Sequence, residues 1–197
     1  MSIKRMGQFI MPILASLMLL PTTGMAATTY ATDQGHTEVL FGWNHAGVSR
    51  QNAEFTKAQG TLKLEDDIEK SSVSVVIDVA SLASGYAALD RHLKSPDFLD
   101  AATYPEITFE STSIKQTGDK TFDVSGNLSI HGITQPVVLK ATMTHQGKHP
   151  VAKFIDYYKG DWIAFQATTD IDHMAFKVGN FSTGPISVTI NTELKAK

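Results

Sequence analysis

Val73, Val75, Ile77 and Val79 alternate with Ser72, Ser74, Val76 and Asp78, placing four β-branched side chains on one face of an extended segment. The same grammar recurs along the chain and limits what it can fold into. Thr37, Val39, Phe41 and Trp43 alternate with Glu38, Leu40, Gly42 and Asn44, with less clearly assigned faces. A second strand is expected over Phe55 to Leu64, closing in the turn-rich Glu65-Asp66-Asp67. Further one-sided strands follow at Ile107, Phe109 and Ser111, at Phe122, Val124, Leu128 and Ile130, and at Val137, Leu139, Ala141 and Met143. The last two are Ile163 to Ile171 and Ile186 to Leu194. Gly126 interrupts the apolar face of its strand as a bend or bulge would, and the chain is expected to reverse over His131 to Gln135 at Pro136. The predicted fold is all-β with eight antiparallel strands. Strands with one apolar face bury it either by closing into a barrel or by packing as two sheets, and periodicity leaves both open.

One stretch breaks the alternation. Leu89 and Leu93 stand four apart, the Pro96-Asp97 break ends the run, and the spacing predicts a single short helix over Ala87–Leu93. Pro105 then forces Tyr104 to be extended and the chain passes directly into a strand. The local reading is a helix-and-loop plug entering a β structure.

Lys4 and Arg5 precede an apolar run from Phe9 to Leu20, then Pro21 and the small-residue sequence Gly24-Met25-Ala26. This is the pattern of a secretory signal peptide cleaved after Ala26, leaving residues 27–197 as one domain destined for the periplasm. The run is too short for a membrane span, and no later stretch is long enough for one. Without Lys4 and Arg5, 15 basic residues face 20 acidic ones, so nothing awaits a nucleic-acid backbone. With no cysteine, disulfides and thiolate sites are excluded.

Several stretches carry a family resemblance: Asp90-Arg91-His92-Leu93-Lys94-Ser95-Pro96-Asp97-Phe98-Leu99-Asp100, Tyr104-Pro105-Glu106-Ile107-Thr108-Phe109-Glu110-Ser111, Val124 to Thr134, and His36 with His45. In these motifs and their order the chain resembles the YceI-like family of lipocalin-like barrels, from about His36 to Leu194. The resemblance implies an extended eight-stranded antiparallel barrel that holds a long amphiphile, a polyisoprenoid or isoprenoid quinone; fatty-acid or fatty-amide ligands are the alternative within the same fold. The chain departs from the family's pattern at Ala53, where glycine is usual. It departs again in Ile171-Asp172-His173-Met174-Ala175-Phe176-Lys177, where His173 stands at an arginine position and Lys177 at a glycine position. A histidine there would serve a head group conditionally, because its charge changes near neutral pH.

On this reading the expected lining is Phe41, Trp43, His45, Val75, Ile77, Phe109, Val124, Leu128, Leu139, Met143, Phe165, Ile171, Val188 and Ile190, with His45, His92 and His173 as head-group contacts. The competing reading is that these residues fill a solid core. His145 and His149 suggest a metal pair, but Gly147 and Pro150 mark a loop with no acidic partner nearby in the sequence, so no metal is expected. No cofactor beyond the lipid is expected. The G-x-S-x-G, phosphate-loop and H-E-x-x-H signatures are absent, and Asp90 with Asp97 or Asp100 reads as capping more readily than as a catalytic pair, so the chain is read as a binding protein, not an enzyme. Outward apolar residues are few, notably Val76 and Val138, which argues against a large protein interface while leaving a homodimer open.

Overall fold

The computed structural model describes residues 27–197; the leader expectation falls on residues outside that range. The strands are β1 Thr28–His45, β2 Ser49–Phe55, β3 Ala58–Leu64, β4 Ser72–Asp78, β5 Leu82–Ala83, β6 Glu106–Gln116, β7 Thr121–Ile130, β8 Ile133–Lys148, β9 Asp161–Ile171 and β10 Ile186–Ala196. One short helix, α1, spans Ala87–Leu93 as the spacing predicts.

These ten segments occupy eight barrel positions. The first half of β1 pairs with β3 and its second half with β2, so β2 and β3 share one position; β4 and β5, paired with β3 and β2 respectively, share the next. All pairings are antiparallel, and β10 pairing with β1 closes the ring. Closure removes the free edges that invite strand addition. Between β2 and β3, Gln34 takes the place of the missing ladder, its amide donating to Thr56 O at 3.1 Å and accepting from Ala58 N at 3.1 Å.

Four expectations change. The strand expected over Phe55 to Leu64 is two: Phe55 ends β2 and Ala58 begins β3, because the N–H groups of Thr56 and Lys57 between them donate to Ser81 O and Oγ instead of to a ladder. β1 begins at Thr28 rather than near Thr37. Its register against β10 shifts between Thr32 and Thr37, and this polar irregularity hides the alternation. The reversal before β8 is the two-residue turn His131-Gly132, with φ of 51° and 73°, the left-handed pair that a type I′ hairpin requires. Pro136 therefore lies inside β8, opposite Asn127; pairing with β9 begins only at Lys140, so the missing N–H costs no ladder bond on that side. Finally, His145 is on a strand, because β8 stays paired with β9 as far as Lys148. Ile155 to Tyr158, which has no readable period, leads into a 3-10 turn at Asp156–Tyr158, where Tyr158 O accepts from the Trp162 indole at 2.9 Å.

Gly126 sits where the β6 register slips between Ser111 and Ser113. A Cβ there would lie 2.4 Å from Phe109 Cζ, so the bare backbone lets the Phe109 ring cross it. One end of the barrel is sealed by Tyr30, Leu62, Ile163 and Leu194, all buried. At the other end α1 and the turn-rich segment after it form the plug.

Candidate functional site: an apolar tunnel with a histidine-bearing mouth

The inward faces do not fill the barrel. An inner cavity of about 210 Å³ runs toward the sealed end, between walls that include Val75, Ile77, Phe109, Ile114, Val124, Leu128, Leu139, Phe165 and Ile190. No charged side chain lines it among the described residues. Four of its six hydroxyl side chains have partners of their own: Thr37 Oγ1 and Thr192 Oγ1 are 2.9 Å apart, Thr32 Oγ1 accepts from Gly60 N at 3.0 Å, and Ser71 Oγ accepts from Glu65 N at 3.0 Å. Satisfied hydroxyls leave a wall that behaves as apolar.

A second cavity of about 700 Å³ lies at the plugged end, within the range of about 300–1,000 Å³ common for small-molecule sites. Phe41, Phe55, Ile107, Ile130, Ile171 and Val188 line both cavities and form the waist between them. The plug supplies Leu89, His92, Leu93, Phe98 and Leu99, which explains the helix: its apolar side closes over the mouth. Tyr86 and Phe181 stand at the rim, 68% and 60% exposed.

Polar groups at the mouth are His45, His92, His173, Gln51 and Thr183, with no lysine, arginine or carboxylate among its lining residues. His45 and His92 are exposed at the rim, and the His92 ring packs edge-on against Phe98, 4.7 Å between centroids. His173 is different. It is buried, with Nδ1 2.6 Å from Val178 O and Nε2 3.2 Å from Thr183 N, so one nitrogen donates and the other accepts. Both nitrogens are spent on tying the loop after β9, and the face that His173 turns to the cavity is its ring. Asp90 accepts from Ser84 N at 2.7 Å and from Ser84 Oγ at 2.5 Å, bonds that hold its carboxyl below the ordinary range. It folds the pre-helix loop onto α1.

Of the expected lining, Phe41, Ile171 and Val188 lie at the waist, Trp43 and His45 at the mouth, and Val75, Ile77, Phe109, Val124, Leu128, Leu139, Phe165 and Ile190 on the inner wall. Met143 lines neither cavity. Next to it the β8 register shifts against β9, and Met143 packs instead against the core beside its partner Phe165. Sequence reasoning missed Phe55, Leu82, Phe176 and Phe181. Phe55 was read as the start of a strand but is the last residue of β2, whereas Phe176 and Phe181 lie on the non-periodic connection from β9 to β10.

A closed eight-stranded barrel of this kind, with an apolar interior reached from one end, is a lipocalin-like ligand-cavity protein in architecture. The chain belongs to the YceI-like family: the YceI-like domain matches residues 30–196. It is similar to the UPF0312 protein of Pseudomonas savastanoi pv. phaseolicola, 36% identical over 183 residues, which are 92% of this chain and 91% of that relative. A UPF0312 protein of Pseudomonas putida is 35% identical over 182 residues, 91% of this chain and 90% of its own. Among solved structures, Burkholderia cenocepacia BcnA superposes with a TM-score of 0.69 at 24% identity, over 84% of this chain and 99% of its own. The polyisoprenoid binding domain from Saccharophagus degradans gives 0.64 at 15% identity, over 85% and 98%. At these identities the two structures support the fold.

Proposed function

We propose that this protein binds a long amphiphilic isoprenoid lipid, a polyisoprenoid or isoprenoid quinone, with the tail in the inner cavity and the head at the mouth, and that it carries this ligand in the periplasm. The observation that carries the reading is the waist: six apolar residues shared by two cavities make one continuous apolar path from an open mouth to a sealed end. Each methylene removed from water contributes about 0.8 kcal/mol, so a tail of tens of carbons binds without any strong polar contact. The similarity to a polyisoprenoid binding domain supports the class of ligand.

The mouth also separates the two lipid classes. A fatty-acid carboxylate would lose its hydration and meet no lysine or arginine among the lining residues, whereas a neutral quinone or an isoprenoid end needs only hydrogen-bond partners such as His45, His92 and Gln51. The test is titration of lipid-free protein with isoprenoid quinones of increasing tail length and with fatty acids of matched length, followed by the fluorescence of Trp43 at the mouth. Affinity that rises with isoprenoid length and exceeds that for fatty acids is expected. Equal or better binding of the fatty acids would move the ligand class, and no binding of either would overturn the reading.

A further inference from the structure

At the sealed end, on the outer wall and away from the mouth, lies a cluster that lipid binding does not use. On β9, Ala164 is paired with Glu193 of β10 on one side and His145 of β8 on the other. Ile163 and Phe165 face inward, so alternation turns Ala164 and its two neighbours outward. The methyl of Ala164 leaves a shallow depression between a glutamate and a histidine. Two strand spacings separate their backbones by about 10 Å, within the combined reach of the two side chains and one ion.

Two further elements converge on this depression. His149, just past the end of β8, brings Nε2 to 3.3 Å from Glu193 Oε2. From the other side, the irregular part of β1 supplies Asp33 and His36, and one ligating atom each from Asp33, His36 and Glu193 lies within 4.8 Å of the other two. Asp33 Oδ2 is 2.7 Å from His36 Nδ1. A carboxylate on one ring nitrogen is the common way an outer partner orients a metal-binding histidine; the other nitrogen, Nε2, lies 3.4 Å from the Tyr158 hydroxyl, a long contact that an ion would displace.

The independent observation is an unmet polar need. Among the described residues, the buried side-chain polar atoms without a hydrogen-bond partner are His145 Nε2 and Glu193 Oε2, and both belong to this cluster. The 3.3 Å approach of His149 does not satisfy Glu193, because its geometry is not that of a hydrogen bond. A tetrahedral ion with bonds of about 2.0–2.1 Å keeps its ligands about 3.3–3.4 Å apart, so the separation suits two ligands of one cation. Imidazole and carboxylate donors without thiolate select a borderline first-row ion over calcium or magnesium.

We propose that Glu193 and His149, joined from β1 by His36 and Asp33, form a binding site for one divalent transition-metal ion, zinc in the first instance, with His145 at its edge. Coordination through His149 Nε2 puts the ring proton on Nδ1, so the long 3.4 Å bond that Nδ1 accepts from Val151 N is released on binding. The site explains a residue that sequence spacing alone dismisses: His149 does have an acidic partner, supplied by a strand more than forty residues further on. It stands independently of whether lipid enters the other end.

The test is zinc titration of chelator-treated protein by calorimetry, with cobalt in parallel to read coordination from its visible absorption. One equivalent of zinc and a four-coordinate cobalt spectrum are expected. Glu193→Gln and His149→Gln should each weaken zinc binding by at least the about 10–100-fold that loss of an outer partner costs, while the metal-free proteins melt like the parent. If either fails to fold, His36→Gln carries the test, because that side chain is 48% exposed. Absence of stoichiometric binding, or binding that is unchanged in the folded variants, would overturn the site.

Discussion

Val188→Trp should convert the tunnel into a shallow cup. Val188 lines both cavities and pairs with Phe41 across the β1–β10 seam, so an indole there projects into the waist. Beyond the waist, β6 runs from Ile107 to Ile114 along the inner cavity; the seven steps between them at about 3.3 Å, tilted about 40°, give a depth of about 18 Å. At about 1.3 Å per carbon of an extended chain, that depth holds about 14 carbons. Full burial of these would contribute about 11 kcal/mol at 0.8 kcal/mol each. Ordering a flexible tail offsets most of this, and the about 0.3 kcal/mol per heavy atom typical of larger ligands gives about 4 kcal/mol. The net figure decides the expectation: a loss of about 1,000-fold in affinity for long tails. Because the indole enters open space rather than packed side chains, the cost to folding should stay near the lower end of the about 1–3 kcal/mol seen for overpacking. The assay is a tail-length series on parent and variant. In the parent, affinity climbs with length; in Val188→Trp it stops climbing once the mouth is filled. A folded variant that retains the parent's full length dependence would refute the threading of the tail through this waist.

Four other outcomes follow from the structure. Gly126→Ala places a methyl 2.4 Å from Phe109 Cζ and 2.6 Å from Glu110 O, and should destabilise the fold by about 1–3 kcal/mol in chemical denaturation; a neutral result would mean that the ring does not cross there. Lys177 has φ 54°, and Lys177→Gly relieves about 1 kcal/mol of left-handed strain, raising the melting temperature by about 2–4 °C; a lower melting temperature would contradict this. His173→Leu strands Val178 O and Thr183 N at about 1–3 kcal/mol each, so hydrogen exchange should accelerate over residues 173–184 more than in the barrel strands. In Ser84→Ala the Asp90 pKa, observed by NMR, should rise toward its ordinary 3.8. The folded value is lowered, so the parent's stabilisation is present above the unfolded pKa and lost as pH falls through the folded one. The variant should show a weaker pH dependence, since the Ser84 N–H bond to Asp90 remains, and an unmoved Asp90 titration would contradict the role given to the Ser84 hydroxyl.

The barrel was legible because each strand keeps a dry face. Val73 to Val79 and Ile186 to Leu194 alternate on the page, and the antiparallel ring reproduces that alternation as inside and outside. The plug was legible for the opposite reason, since Leu89 and Leu93 break the two-residue period. What lay beyond the sequence depends on register and on loops. Met143 keeps its inward register with Phe165 but packs against the buried clusters rather than lining either cavity, and the bulge that follows it, which sends His145 to the outer face, is announced by nothing in its neighbours. Phe98, Phe176 and Phe181 reach the mouth from segments without period. His173 occupies a position that suggests a head-group contact, yet its hydrogen bonds show a loop anchor, a distinction set by Val178 and Thr183 rather than by the motif. The Asp33, His36, His145, His149 and Glu193 cluster needed the pairing of four strands to bring it together.

The most direct test of the central claim is to purify the protein gently from cells that export it, extract it with organic solvent and identify by mass spectrometry what is released. Close to one isoprenoid or isoprenoid quinone per protein chain is the predicted result. Repeated preparations that release no isoprenoid, from protein that also fails to take up added isoprenoids, would contradict the account and leave the barrel interior without a lipid role.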